Sequence, residues 1–315
     1  MLAQPQVDEL ARRYRLGGGA RLTGVVERGE QGQIAQLATE LGQWAVKVGF
    51  EGYESDEDGE GLAFQTAARR AGVPVPGPVT TGSGDVVLEV GDVSVRVYEW
   101  VELLPADRTL DPERVGALVA AIHRVEFAGR RPQDPWYTDP VGPAGWDSVI
   151  AELTSAGAPF AGELAELRDE LVAVDALVEP ARDVRTCHRD LWADNIRATG
   201  DGGLCVIDWD NCGLADPGQE LSGVLFEFWG GDPERARALH HAYRRAGGPG
   251  RVDRRGSFSM TIAQLGHIAE AACRIWLDPA TSAEERRRQV GRVAEYTGDP
   301  LTVDVIDAMV DAVRE

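Results

Sequence analysis

Short apolar runs broken by glycine-bearing turns fill the first hundred residues, and longer runs with helical periodicity fill most of the rest. Residues 22–28, 33–38 and 44–48 read as strands separated by Gly29-Glu30-Gln31-Gly32 and by Glu40-Leu41-Gly42-Gln43, which predicts a three-stranded meander. A charged run at 51–60 leads into a helical stretch at 60–71, which stops at Gly72 ahead of the extended Val73-Pro74-Val75-Pro76. Two more strands are expected at 85–90 and 93–99. Beyond Glu102-Leu103-Leu104-Pro105 the apolar spacing turns helical, at 112–126, 148–156, 160–178, 218–229, 233–246, 257–277, 282–296 and 302–314. Strands first and helices later predict an α+β fold of two lobes, 1–101 and 102–315, and not alternating βαβ units. One hairpin interrupts the helical half, with strands at 196–199 and 204–207 joined by Gly200-Asp201-Gly202-Gly203.

Composition narrows the possible partners. At 315 residues and 43% hydrophobic content the chain is long enough to bury a substantial core. Lys and Arg number 32 against 52 Asp and Glu, a net charge of −20, which disfavours a nucleic-acid partner and suits a cationic small molecule. The same charge also serves solubility alone. No basic segment followed by an apolar run opens the sequence and no stretch of about 18 apolar residues occurs, so a soluble protein without a membrane partner is expected. The four cysteines form no C-x-x-C pair, which fits a reduced cytoplasm and neither a disulfide framework nor a cysteine zinc site. Of the 32 basic residues Lys47 alone is a lysine, and a chain that otherwise uses arginine keeps a compact ammonium where a planar fork would not fit.

The hairpin organises the candidate chemistry. Asn195 stands just before its first strand and Asp208 just after its second, so strand pairing brings an amide oxygen and a carboxylate together, a donor set that suits Mg2+. Five residues before Asn195 lies Asp190, in Cys187-His188-Arg189-Asp190-Leu191-Trp192-Ala193-Asp194-Asn195. The string H-R-D-x-x-x-x-N is the pattern of the kinase catalytic loop, in which the aspartate accepts a hydroxyl proton and the asparagine holds metal.

With Val206-Ile207-Asp208-Trp209-Asp210-Asn211-Cys212-Gly213 and Asp216-Pro217, this string resembles the aminoglycoside phosphotransferase and related antibiotic-kinase family over most of the chain. The resemblance implies a bilobal protein-kinase-like fold with a nucleotide site in the cleft between the lobes. It implies Asp190 as catalytic base, Asn195 and Asp208 as metal ligands, and Lys47 as the strand lysine that binds phosphates and pairs with a helix glutamate. Glu60 is the candidate partner, with Glu54 and Glu57 as alternatives. The nucleotide loop maps to Gly29 and Gly32, and the hinge that binds adenine through its backbone maps to Tyr98-Glu99-Trp100-Val101, with Glu99 and Val101 as contacts. Asp216 follows Asp208 by only eight positions, too few for an activation segment, so a protein substrate or partner is not implied. The family often has a second aspartate where Glu220 stands, a departure that touches local bracing.

The implied activity is transfer of the γ-phosphoryl group of ATP, with GTP as an alternative donor, to a hydroxyl of an aminoglycoside or another sugar- or nucleoside-containing antibiotic. Glu227, Asp232 and Glu270 are candidates for binding a cationic acceptor. A metabolic kinase for a sugar, homoserine, choline or fructosamine, and a silent nucleotide-binding protein, are the other readings. His188 is read as a loop-fixing residue, Arg189 as structural or surface charge, Asp194 and Asp210 as supporting or solvated groups, and the remaining histidines as ordinary surface or core residues. Trp136, Trp146, Trp229 and Trp276 are read as packing groups, some of which would line an acceptor pocket.

Overall fold

The computed structural model describes residues 2–28, 32–49 and 55–314 and divides into two compact units. The first comprises residues 1–107, 125–127 and 193–212, and the second 108–124, 128–192 and 213–315. In the first unit β1 (Arg21–Arg28), β2 (Gly32–Thr39), β3 (Gly42–Gly49), β4 (Val87–Val90) and β5 (Val93–Glu99) form an antiparallel sheet in the order β1-β2-β3-β5-β4. The strands fall where the alternation places them. A helix that the pattern does not announce, α1 (Gln4–Arg13), lines the sheet: Val7, Leu10 and Ala11, with Tyr14 just beyond, are spaced i, i+3, i+4, i+7 and share a buried cluster with Leu37, Val46, Val48, Val95 and Val97. Pro5 in its first turn is compatible with a helix start, since the N–H it lacks would have no intrahelical partner there.

Strand pleating divides the residues of β3 and β5 between two faces. Val46 pairs with Val97 and Val48 with Val95, all in the buried cluster, so Lys47 and its partner Arg96 point to the opposite face. The helix α2 (Ser55–Arg70) packs against the 3-10 turn Trp209–Asn211, where Gly61 comes so close to the Trp209 carbonyl that a Cβ would lie 2.5 Å from it. Phe64, fully buried, packs its ring edge-on against Trp209 and tilted against Phe127.

The second unit is mainly helical, as expected. It contains α3 (Pro112–His123), α4 (Pro135–Thr138), α5 (Gly142–Ala156) and α6 (Ala161–Asp175), followed by the paired short strands β6 (Arg185–Cys187) and β9 (Gly213–Ala215). In sequence these strands bracket the hairpin β7 (Ile196–Ala198) and β8 (Leu204–Val206), which belongs to the first unit. Three backbone bonds hold the hairpin there: Leu104 N–H to Ala198 O, Gly200 N–H to Glu102 O and Val206 N–H to Pro74 O, at 2.8, 3.0 and 2.9 Å. The second unit closes with α7 (Pro217–Trp229), α8 (Pro233–Arg245), α9 (Ser259–Leu277), α10 (Ala283–Gly298) and α11 (Val303–Arg314). Trp146, Leu153, Phe160, Leu164, Cys273 and Val293 share its core, and the Trp146 indole N–H is satisfied by Asp175 at 2.9 Å. All four cysteines are free and buried, and burial pushes the thiols of Cys205 and Cys273 up to about 12. Among the described residues no helix is long and apolar enough to cross a membrane.

Gly116 of α3 lies against the backbone of α8, where a Cβ would meet the Leu239 carbonyl at 2.1 Å. Gly116→Ala is therefore expected to destabilise the protein by about 1–3 kcal/mol, through the displacement of α8, measured as a lower urea midpoint with an unchanged slope.

Candidate active site

Residues opposite each other on neighbouring strands interact, and like charges so placed repel. Lys47 and Arg96 are such a pair, and carboxylates from the turn after β8 offset the repulsion. Lys47 Nζ donates to Asp208 Oδ1 at 2.8 Å and to Asp210 Oδ2 at 2.5 Å. The Arg96 guanidinium donates to both Asp210 oxygens, each at 2.8 Å. Burial alone pushes the Asp210 carboxyl up, but the Lys47 charge and the Arg96 hydrogen bonds outweigh it and hold the group well below the usual carboxylate range. Read from sequence as a supporting or solvated group, Asp210 is thus a mostly buried partner of two cations.

The hairpin puts Asn195 and Asp208 at one end. Ile196 pairs with Val206, and Ile207 N–H donates to Asn195 O at 3.0 Å, so the ladder runs up to the residues flanking Asp208. Asn195 is buried, whereas the Asp208 side chain keeps 44% of its surface. Asp208 has φ 56, a left-handed backbone that costs a non-glycine residue about 1–3 kcal/mol and is concentrated at functional sites. An asparagine and a partly exposed aspartate at one end of a hairpin offer the kind of oxygen donors that fit a hard divalent cation.

The other nucleotide-site candidates fall in the same unit or outside the described residues. Glu60 is half-buried in α2 and immediately precedes Gly61, the residue packed on the Trp209 carbonyl. Gly32 opens β2 opposite Gly49, and a Cβ there would lie 2.6 Å from Val48 O, so close strand approach alone requires glycine. Gly29 lies outside the described residues, as does Glu54. The Glu99 carboxylate pairs with Arg69 at 2.7 Å and its N–H donates to Gly77 O at 2.8 Å, while Val101 is half-buried just beyond β5.

Asp190 belongs to the second unit, where the residue before it is held on all sides. Arg189 has φ 65, a left-handed backbone like that of Asp208. Its N–H donates to Glu220 of α7, and its carbonyl accepts from Gln264 Nε2 of α9 at 2.7 Å. Its guanidinium lies 4.3 Å from the centre of the Tyr137 ring and reaches Pro132 O at 3.5 Å. Glu220 in turn bonds His123 Nε2 at 2.6 Å, and Tyr243 OH meets His123 Nδ1 at 2.8 Å. Cys187 Sγ lies near this group and is directed at Ala215 O at 3.6 Å, so the cluster works as a hydrogen-bond network. Burial pushes the Glu220 carboxyl up, and the hydrogen bond and charge of His123 more than reverse this, leaving it below its ordinary value. Asp216 caps α7 through Gly218 N–H and also accepts from Arg182 N–H, both at 2.8 Å.

The structure makes two sequence readings more specific here. Arg189, read as a structural or surface charge, is buried, and His123 and Glu220, the first read as an ordinary surface or core residue, form the brace of the catalytic-loop candidate. The three acceptor candidates each have a partner within the protein: Glu227 bonds Arg108 at 3.2 Å, Asp232 caps α8 through Glu234 N–H at 2.9 Å, and Glu270 lies 3.5 Å from Arg274 and 3.9 Å from His267. Trp136 is partly exposed and stacks on His267 with ring centres 5.2 Å apart.

A strand lysine, an aspartate and a catalytic-loop asparagine are parts that kinases use for phosphoryl transfer. The chain belongs to the phosphotransferase enzyme family, whose model matches residues 26–255. Solved structures with the same fold include spectinomycin phosphotransferase in complex with ADP and spectinomycin, at a TM-score of 0.71 and 15% identity, covering 100% of this chain and 99% of that one. They also include an aminoglycoside phosphotransferase from Alicyclobacillus acidocaldarius subsp. acidocaldarius, at 0.66 and 18% with coverage of 100% and 96%. Amicoumacin kinase in complex with AMP-PNP and Ca2+ follows at 0.64 and 15%, with coverage of 95% and 94%. No curated protein sequence matches the chain significantly.

Glu220→Gln is expected to lower stability at neutral pH by about 1–3 kcal/mol, since buried donors lose a charged acceptor. A carboxyl whose folded-state pKa is depressed stabilises above its unfolded pKa, and that contribution is lost as pH falls through the folded-state value. Chemical denaturation across pH should therefore show the difference from wild type shrinking on acidification.

Proposed function

We propose that this phosphotransferase is a magnesium-dependent kinase that moves the γ-phosphoryl group of ATP to a hydroxyl of a small molecule, an aminoglycoside or another sugar- or nucleoside-containing antibiotic. The observation that carries the reading is the convergence of Lys47, Asn195 and Asp208 in the first unit, together with the loop Cys187–Asn195, which places Asp190 five residues before Asn195 in sequence.

In this reading Asn195 and Asp208 hold the divalent cation, which supplies neutralisation of phosphate charge. Lys47 moves from the carboxylates to the nucleotide's phosphates, an exchange that its flexible stem allows. Asp190 accepts the proton of the attacking acceptor hydroxyl. The brace on Arg189 keeps that carboxylate in one orientation, which is what a transfer dependent on positioning requires. An antibiotic acceptor is supported by the spectinomycin and amicoumacin complexes of proteins with this fold. The net charge of −20 favours a cationic one.

A coupled ADP-release screen of the purified chain with Mg·ATP against aminoglycosides, nucleoside and peptide antibiotics, sugars and amino alcohols tests the proposal. Acceptor-dependent ADP with an antibiotic is the expected result; a response confined to sugars or amino alcohols would replace the acceptor class, and none with any acceptor would point to a silent fold. Asp190→Asn is expected to lower kcat by about 10²–10⁴, and Asp208→Ala to abolish magnesium-dependent turnover; full activity in either would remove that role. Lys47→Arg, although charge is kept, is expected to be severely impaired in kcat/KM for Mg·ATP, and unchanged kinetics would reduce the single lysine to coincidence.

A further inference from the structure

Arg96 is a buried charge that none of these roles uses. It is 3% exposed and stands directly opposite Lys47, yet the two cations are held differently. The guanidinium meets both oxygens of Asp210 in a planar two-bond fork, whereas the ammonium divides its bonds between Asp208 and Asp210. A fork fixes direction as well as distance, while a point charge on a flexible stem tolerates exchange of one anion for another. Removing one partner of a buried pair leaves the other uncompensated, so Arg96 and Asp210 are bound to stay together. Asp210 lies in the 3-10 turn that begins one residue after Asp208, and the left-handed backbone at Asp208 needs its surroundings to hold it. Fixing Asp210 to the sheet through Arg96 supplies that hold independently of Lys47.

We propose that Arg96 is the standing anchor of the turn at residues 208–211 and that Lys47 is its exchangeable partner, so that Arg96 is a positioning residue for nucleotide binding. In the nucleotide-free protein Lys47 neutralises Asp208 and Asp210. When Lys47 turns to phosphate, the two bonds from Arg96 still keep Asp210, and through two residues of backbone Asp208, where they were. Arg96 touches neither nucleotide nor acceptor in this arrangement; it sets how well the site is formed while Lys47 is away. The inference rests on the roles proposed above for Lys47 and Asp208.

The test is calorimetric titration of the full chain with ATP, once in EDTA and once in excess Mg2+, for wild type, Arg96→Lys, Arg96→Met and Asp210→Asn. Wild type is expected to bind ATP more tightly with Mg2+. All three variants should lose most of that gain, about tenfold in affinity, while ATP binding in EDTA changes little, and KM for Mg·ATP should rise more than kcat falls. Arg96→Lys keeps a buried positive charge without the fork, and Asp210→Asn keeps the shape of the turn, so at least one folded variant is available if Arg96→Met does not fold. A folded variant with a lower melting temperature but an intact Mg2+ gain would show that Arg96 only packs the sheet, overturning the proposal. If wild type itself shows no Mg2+ gain, the reading of Asp208 fails first and this proposal with it.

Discussion

Setting Lys47 opposite Arg96 on one face of a sheet whose other face is apolar places two positive charges side by side, and the strands tolerate this only with anions between them. The turn that follows β8 supplies those anions, Asp208 and Asp210. The same turn receives Gly61 against the Trp209 carbonyl and Phe64 against the Trp209 ring, and the hairpin that carries it belongs to the first unit. A sheet and a hairpin some 160 residues apart in sequence are joined by charge, and the join is where the phosphate chemistry is proposed.

The second unit meets a different need in a similar way. A catalytic base acts in one orientation, and the loop that carries Asp190, the base proposed above, is held at Arg189, whose N–H and carbonyl are both taken by buried side chains from separate helices. Buried polar groups of this kind are costly when unpaired and rigid when satisfied. Glu220, His123 and Tyr243 form a chain in which each supplies what the next lacks. Arg189 and Asp208, both with left-handed backbones, thus stand next to or at the two carboxylates assigned the chemistry, Arg189 held by the buried Glu220 and Asp208 by Lys47.

Much of this was legible in the sequence because it is local. Alternation fixed the strands, helical spacing fixed most of the helices, and the flanks of the 196–206 hairpin pointed to Asn195 and Asp208. Lys47 was legible through composition, as the single lysine among 32 basic residues. What the sequence withheld depends on long-range pairing. Arg96 and Asp210 are 114 residues apart, His123 and Glu220 are 97 apart, and Gln264 reaches Arg189 across 75. No local pattern announces such partners, although the glutamate four residues after Asp216 was a departure in the right place. The helix α1 was missed because a short apolar stripe near a terminus acquires meaning only once the sheet beneath it is known.

The most direct measurement of the central claim is phosphorus NMR of a reaction containing the wild-type chain, Mg·ATP and an acceptor that stimulates ADP release. The account predicts a new phosphomonoester resonance that grows as the γ-phosphate signal falls, with no matching rise of inorganic phosphate, and that is absent with Asp190→Asn. Loss of the γ-phosphate signal into inorganic phosphate alone would contradict it, because the protein would then be transferring the group to water and not to a small-molecule hydroxyl.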